Sequence, residues 1–213
     1  MSITLSNRVQ NIKPSQTLAI TARAKELRQQ GLDIIGLGAG EPDFDTPEHI
    51  KEAAIQAIRD GFTKYTAVDG IPSLKQAIVD KFKRDNNLHY ELNQILVSSG
   101  GKQSSFNLLQ ALINPGDEVN IPAPYWVSYP DMTLLAEGKP VIVPAGIEQN
   151  FKITPEQLQA AITDHTRLIF INSPSNPTGV VYSREELAGL GEVLKKHPHI
   201  FIATDDMYEH ILW

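Results

Sequence analysis

Cysteine is absent from the 213 residues, which removes disulfide pairing, a thiol nucleophile and any thiolate-held zinc or iron–sulfur centre. An excess of positive charge is missing too. With 25 acidic against 19 basic residues the formal net charge is −6, so the chain lacks the electrostatic footprint of a protein that wraps nucleic acid. Any anionic ligand has to be captured by a local site. No apolar stretch approaches the ~20 residues that cross a bilayer, and Met1–Asn11 interleaves polar and charged residues without the apolar run of a secretory signal. Repeats and low-complexity tracts are missing as well. What remains has an ordinary globular balance, 41% hydrophobic and 21% charged. The expectation is a soluble, cytoplasmic protein that engages neither nucleic acid nor membrane.

Apolar β-branched runs alternate with helical patterns along the chain. A polar arm extends to Lys13, a helix spans Ser15 to Gln29 and stops at Gly31, and Asp33 to Leu37 reads as a short strand. Thr46 and Pro47 form a cap and first turn for a helix whose apolar face carries Ile50, Ala54, Ala57 and Ile58, ended by Gly61. Leu74, Ile78 and Phe82 mark another. Strand Ile95 to Ser98, a helix through Leu108 and Leu112, the turn Asn114-Pro115-Gly116-Asp117 and strands Val119 to Ile121 and Lys139 to Val143 follow. The capping boxes Thr154–Gln157 and Ser183–Glu186 open helices that flank strand Leu168 to Asn172, and Ile200 to Thr204 is the last strand. Such alternation predicts an α/β fold, a three-layer αβα arrangement with a mainly parallel sheet. The first 45 or so residues differ in character from the rest. The chain stops on the apolar triplet Ile211-Leu212-Trp213, as expected of a truncated domain rather than of a frayed terminus.

In open α/β sheets ligands gather beyond the carboxyl ends of the strands, and the segments there are chemically unusual. Ser98-Ser99-Gly100-Gly101-Lys102-Gln103 joins a strand to a helix through small residues, leaving backbone N–H groups uncovered at the positive end of the helix dipole. That arrangement suits a phosphate, although two glycines also make an ordinary tight turn. It is not a P-loop, because the earlier glycine is missing and Gln103 replaces the magnesium-binding hydroxyl residue. Gly36-Leu37-Gly38-Ala39-Gly40-Glu41-Pro42 has glycines on the wrong spacing for a dinucleotide fingerprint, and Pro42 prevents a helix from opening at once, which disfavours an NAD-dependent dehydrogenase. A loop whose bare backbone meets a ligand at Gly40 fits better. Asn172-Ser173-Pro174-Ser175-Asn176-Pro177-Thr178-Gly179 is too dense in proline and asparagine for a plain loop, and Asp205 with Tyr208 aims a carboxylate and a phenol into the same crevice. His197-Pro198-His199 has no carboxylate cluster at metal-ligand spacing beside it, so no metal is expected.

Together Lys13-Pro14-Ser15, Gly40 through Pro47, Lys64-Tyr65, Gly100 through Gln103, Pro124-Tyr125-Trp126-Val127-Ser128-Tyr129-Pro130 and Ser175 through Gly179 resemble the class I aminotransferases among the fold-type I pyridoxal-phosphate (PLP) enzymes. They are closest to the bacterial aspartate aminotransferases of the aspartate/prephenate subgroup. The resemblance covers essentially the whole chain and corresponds to the N-terminal half of such an enzyme. It departs at Asp206 and Met207, where the family usually has Glu and an aliphatic such as Ile.

The resemblance implies PLP as cofactor and transamination between an amino acid, with aspartate favoured, and 2-oxoglutarate. Asp205 would pair with the protonated ring nitrogen, Tyr208 and Asn176 with the ring's phenolic oxygen, and Trp126 would stack on the ring face. Amides around Gly101 and Lys102 would hold the phosphate, with Tyr65 reaching it from a neighbouring subunit, which implies a homodimer. Gly40, Trp126 and Asn176 would contact substrate, and Lys13, Thr17 and Lys102 are candidates for a second substrate carboxylate. The Schiff-base lysine has no counterpart in this chain. Residues 1–45 would form the N-terminal arm and part of a small domain, and 46–213 the N-terminal portion of the PLP-binding domain. Ala123-Pro124 and Asn176-Pro177 are expected to be cis. A non-catalytic fragment or module, and an aminotransferase for prephenate or aromatic amino acids, remain the alternatives.

Overall fold

The computed structural model describes residues 4–38 and 40–212. The first three residues of the polar arm, Ala39 of the glycine-rich segment and Trp213 of the terminal triplet lie outside the described residues. In chain order the helices are α1 (Asn7–Gln10), α2 (Gln16–Gln29), α3 (Glu48–Arg59), α4 (Pro72–Asn86), α5 (Gly101–Leu112), α6 (Ser128–Leu135), α7 (Pro155–Ala161) and α8 (Arg184–Leu194). The strands are β1 (Glu118–Ala123), β2 (Lys139–Pro144), β3 (Thr166–Asn172) and β4 (Phe201–Asp205). The residues group into two compact units, one made of Pro14–Ser98 and the other of the residues through Lys13 with those from Ser99 onward.

In the first of these units, Ser15 caps α2 by accepting from the Leu18 amide, and Asn87 ends α4 in the left-handed conformation (φ 54°). The Lys75 ammonium, buried on α4, bonds the Asp69 carboxylate. Gly70 between them has φ +108°, and a Cβ there would lie 2.4 Å from Val97 Cγ2, so only glycine fits. The strands expected at Asp33–Leu37 and Ile95–Ser98 do not form. Both segments lie outside regular secondary structure: a ladder needs a paired neighbour, and among the described residues neither has one. The Ile34 carbonyl instead accepts from Arg28 Nε at 2.9 Å, and the Val97 amide donates to the Asp69 carbonyl at 3.1 Å.

The second unit carries an all-parallel sheet in the order β2-β1-β3-β4. Both expected capping boxes start helices here. Thr154 and Gln157 exchange bonds of 2.9 and 3.3 Å at the head of α7, and Ser183 and Glu186 exchange bonds of 2.6 and 3.2 Å at the head of α8. Alternation along β3 builds the layers. Leu168 and Phe170 join a core with Leu109 of α5 and Tyr129 and Met132 of α6, whereas Ile169 and Ile171 join one with Leu158 of α7 and Leu190 and Val193 of α8. Helices therefore cover both faces, giving the three-layer αβα arrangement, and β3 is apolar on both sides as a buried parallel strand must be. Leu168 and Ile169 are fully buried, each contributing about 1.5–3 kcal/mol relative to exposure.

From β1 the chain crosses through α6 to β2 on one side and later enters β3 on the other side of β1. The β1/β3 boundary is thus the switch point at which connecting loops diverge and leave a crevice beyond the strand ends. Asn172 pairs with Asp205 in the last rung of the β3–β4 ladder, so both stand at that rim.

Candidate active site

Three rims converge at the carboxyl end of the sheet. Beyond β1 the backbone turns through a cis Ala123-Pro124 bond into Tyr125 and Trp126, and beyond β3 it passes cis Ser173-Pro174 and cis Asn176-Pro177. The first and last of these bonds match the sequence expectation, and the middle one was not foreseen. β4 ends on Asp205 itself, one residue later than expected, and the turn after it carries Met207 and Tyr208.

Asp205 is held from three directions. Its Oδ2 accepts a 2.6 Å hydrogen bond from the Tyr129 hydroxyl, its Oδ1 accepts from the Met207 amide at 3.3 Å, and its backbone carbonyl accepts from Asn172 Nδ2 at 2.7 Å. Burial, and next the adjacent Asp205 carboxylate, push the Tyr129 phenol far above the usual tyrosine range, so it remains a proton donor. The other side of Asn172 steers the next loop, because its Oδ1 accepts from the Asn176 amide at 2.7 Å. Asn176 Nδ2 in turn lies 3.5 Å from the Tyr208 hydroxyl oxygen, at the long limit of a hydrogen bond.

The head of α5 borders the same rim. Gly100 precedes it at φ +90° and supplies no side-chain cap, so the first-turn amides of Gly101 and Lys102 face the helix end without a covering side chain. A Cβ placed on Gly101 would sit 3.6 Å from Met207 Cε, which puts that turn beside the one after Asp205. Lys102 Nζ lies 5.0 Å from the Trp126 ring centroid, a cation–π contact. Trp126 packs edge-on to Tyr129 (centroids 5.3 Å apart, 86° between planes).

Gly101, Lys102, Trp126, Asn176, Asp205 and Tyr208 are therefore linked through direct neighbours within one unit. Gly40 and Tyr65 belong to the other unit, where both are exposed and Tyr65 fully so. Lys13 and Thr17 also stand on opposite sides of the unit division. Two residues that organise the site, Tyr129 and Asn172, received no role from the sequence. A signal for Asn172 was present, since it is the polar residue that closes the apolar run Leu168–Ile171. Tyr129 lay within the Pro124–Pro130 motif, but no helical period marked it, because α6 spreads its apolar residues around the helix instead of along one face.

The donor set fits PLP on grounds of chemistry. A carboxylate whose two oxygens each accept one hydrogen bond and keep capacity for another, an indole, and an uncapped helix head with a lysine beside it are the partners that a phosphorylated, protonated pyridine would need. Comparison with known proteins agrees. Residues 32–213 match the family model for aminotransferase class I and II, and the chain belongs to that family. Over 208 residues it is 69% identical to the aspartate/prephenate aminotransferase of Nitrosomonas europaea, covering 98% of this chain and 52% of that protein. The aspartate/prephenate aminotransferase of Cereibacter sphaeroides is 62% identical, with the same shares covered. Among solved structures, the aspartate aminotransferase of Rhizobium meliloti superposes with a TM-score of 0.96 at 51% identity, over 100% of this chain and 53% of that one. The Thermus thermophilus enzyme with maleate gives 0.96 at 48%, over 100% and 55%. The chain thus spans about half the length of the relatives it matches.

Proposed function

We propose that the full-length protein is a PLP-dependent aminotransferase of the aspartate aminotransferase type, acting as a homodimer in the cytoplasm and moving an amino group between aspartate and 2-oxoglutarate. Relatives named for both aspartate and prephenate favour prephenate as a further acceptor. In this reading residues 1–45 supply the arm and part of a small domain, and 46–213 the N-terminal portion of the cofactor domain. The lysine that would hold the cofactor covalently belongs to sequence outside 1–213.

When bound, PLP supplies an electron sink for the charge that develops at the amino acid's Cα, and the sink works only while the ring nitrogen keeps its proton. Asp205 holds that proton by charge-assisted hydrogen bonding, a task for which it is fixed by Tyr129, Met207 and Asn172. Tyr208 and Asn176, neighbours across the rim, serve the ring's phenolic oxygen. Trp126 stacks on the ring face, while the Gly101 and Lys102 amides take the phosphate at the helix head. The fully exposed Tyr65 is assigned to the partner's phosphate, and Gly40, with Trp126 and Asn176, to the substrate. Lys102, with Lys13 and Thr17, is assigned to the distal carboxylate.

The observation that carries this reading is the Asp205 carboxylate, fixed at the end of a parallel strand beside an uncapped helix head. Asp205→Ala in the full-length protein should reduce turnover by at least a hundredfold, while PLP still binds through its phosphate and ring stacking. Near-normal turnover in that variant would remove the basis for the assignment.

A further inference from the structure

Buried tyrosines in this unit satisfy their hydroxyl groups in two different ways. Tyr182 accepts from the Ile153 amide at 2.9 Å, a bond between core and backbone that any well-packed domain makes. Tyr129, with 1% of its surface exposed, donates instead to a carboxylate of the candidate site. Its ring is stacked on Phe170 of β3 (centroids 4.4 Å apart, 16° between planes) and edge-on to Trp126. One side chain of α6 therefore touches both the residue assigned to the ring nitrogen and the residue assigned to the ring face.

We propose that Tyr129 is a positioning residue of the aminotransferase reaction: its hydroxyl locks the Asp205 carboxylate in one orientation, and its ring sets the tilt of Trp126. This inference rests on the functional reading above. A carboxylate at a strand end has free rotation about its side-chain bonds unless something takes that freedom away. Here the two oxygens are divided between two donors, Tyr129 on Oδ2 and the Met207 amide on Oδ1. Because each carboxylate oxygen accepts more than one hydrogen bond, the arrangement fixes direction and still leaves capacity for a ring N–H. The phenol cannot compete for that proton, because burial and the neighbouring charge keep it protonated. Tyr208 and Asp206 are the other ionisable groups whose field reaches Tyr129. Both lie on the turn after β4, and with Asp205 they raise the phenol in the same direction, which keeps the hydroxyl a donor.

The test is a double-mutant cycle in the full-length, PLP-loaded enzyme with Tyr129→Phe, Asp205→Asn and the pair. Phe keeps both ring contacts and removes only the donor. Tyr129→Phe should lower kcat about tenfold, the order expected from losing one hydrogen bond to a charged group. KM for the amino donor should change less than about twofold. The pH midpoint of the bound cofactor's visible absorption should be displaced, and 3-fluorotyrosine at position 129, a stronger donor of the same shape, should displace it in the opposite direction. In the Asp205→Asn background, Tyr129→Phe should add less than about a twofold loss, because the two act through one contact. An equal loss in both backgrounds, or an unmoved midpoint with both substitutions at 129, overturns the proposal and leaves the role of Asp205 standing. Full turnover in Asp205→Asn overturns both. If Tyr129→Phe does not fold, the 3-fluorotyrosine enzyme alone decides, and an unmoved midpoint counts against the proposal.

Discussion

Asn172 joins two rims of the site through one amide, and its removal can be worked out from the contacts. Its Nδ2 donates to the Asp205 carbonyl and its Oδ1 accepts from the Asn176 amide, each at 2.7 Å. A neutral hydrogen bond contributes about 0.5–1.5 kcal/mol net, so Asn172→Ala should destabilise the full-length protein by about 2 kcal/mol. Both former partners lose their bond, and the loops bearing Asp205 and Asn176 lose their tie. Asn172→Asp is the sharper probe. Its carboxylate still accepts from the Asn176 amide but meets the Asp205 carbonyl with no proton to donate, near the Asp205 charge. At neutral pH it should be at least as damaging as Asn172→Ala. The introduced carboxyl should have its folded-state pKa raised above the ordinary aspartate value, since only its protonated form can donate to that carbonyl. Its penalty is then full above the raised value and fades as pH falls through it toward the unfolded-state value. Equilibrium urea unfolding of wild type and both variants across pH, with PLP affinity measured alongside, checks the reasoning. Stability of Asn172→Ala within about 0.5 kcal/mol of wild type, or a pH-independent deficit in Asn172→Asp, would refute it.

Elsewhere in the sheet, Glu118 is buried at the start of β1, and its carboxyl is held below the ordinary glutamate value of 4.5 by Lys139 first and Thr163 second. The stabilisation this gives is present above 4.5 and lost as pH falls through the depressed value. The gap in thermal midpoint between wild type and Glu118→Gln should therefore close on acidification below that point, and a constant gap would contradict it. Residues 1–213 alone, incubated with PLP and reduced with borohydride, should show no transamination and no single stoichiometrically labelled lysine on peptide mapping. One labelled lysine together with aspartate-to-oxoglutarate turnover would place the covalent lysine within this chain.

The parts of the fold that were legible in the sequence are those set by local chemistry. The capping boxes at Thr154 and Ser183 work through neighbours three residues apart, and the buried strand Leu168–Asn172 announces itself by apolar residues on both faces. What escaped depends on partners distant in sequence. Asp33–Leu37 and Ile95–Ser98 have strand-like composition, but a strand is defined by its neighbour, and none pairs with them among the described residues. Helix α6 has no legible period, because Pro130 interrupts the pattern and its apolar residues are not gathered on one face. At the candidate site, motifs pointed to Asp205, Tyr208, Trp126 and Asn176, which the structure brings to one rim through direct neighbours. The bond between Tyr129 and Asp205 spans 76 positions and carries no local signature.

The rung that pairs Asn172 with Asp205 has a consequence for how the molecule certifies its own assembly. Successive side chains on a strand point to opposite faces, so a one-residue slip of β4 against β3 would turn Asp205 away from Tyr129 and bring Thr204 or Asp206 opposite Asn172. The apolar core would tolerate such a slip poorly, and the contact proposed between Asp205 and the cofactor's ring would be lost. If Asp205 holds the ring as proposed, capture of the cofactor would act as a proofreading step on strand alignment. On that reading a molecule that had zipped its sheet out of register would be left without the ligand that stabilises it, and binding would draw the population toward the aligned form.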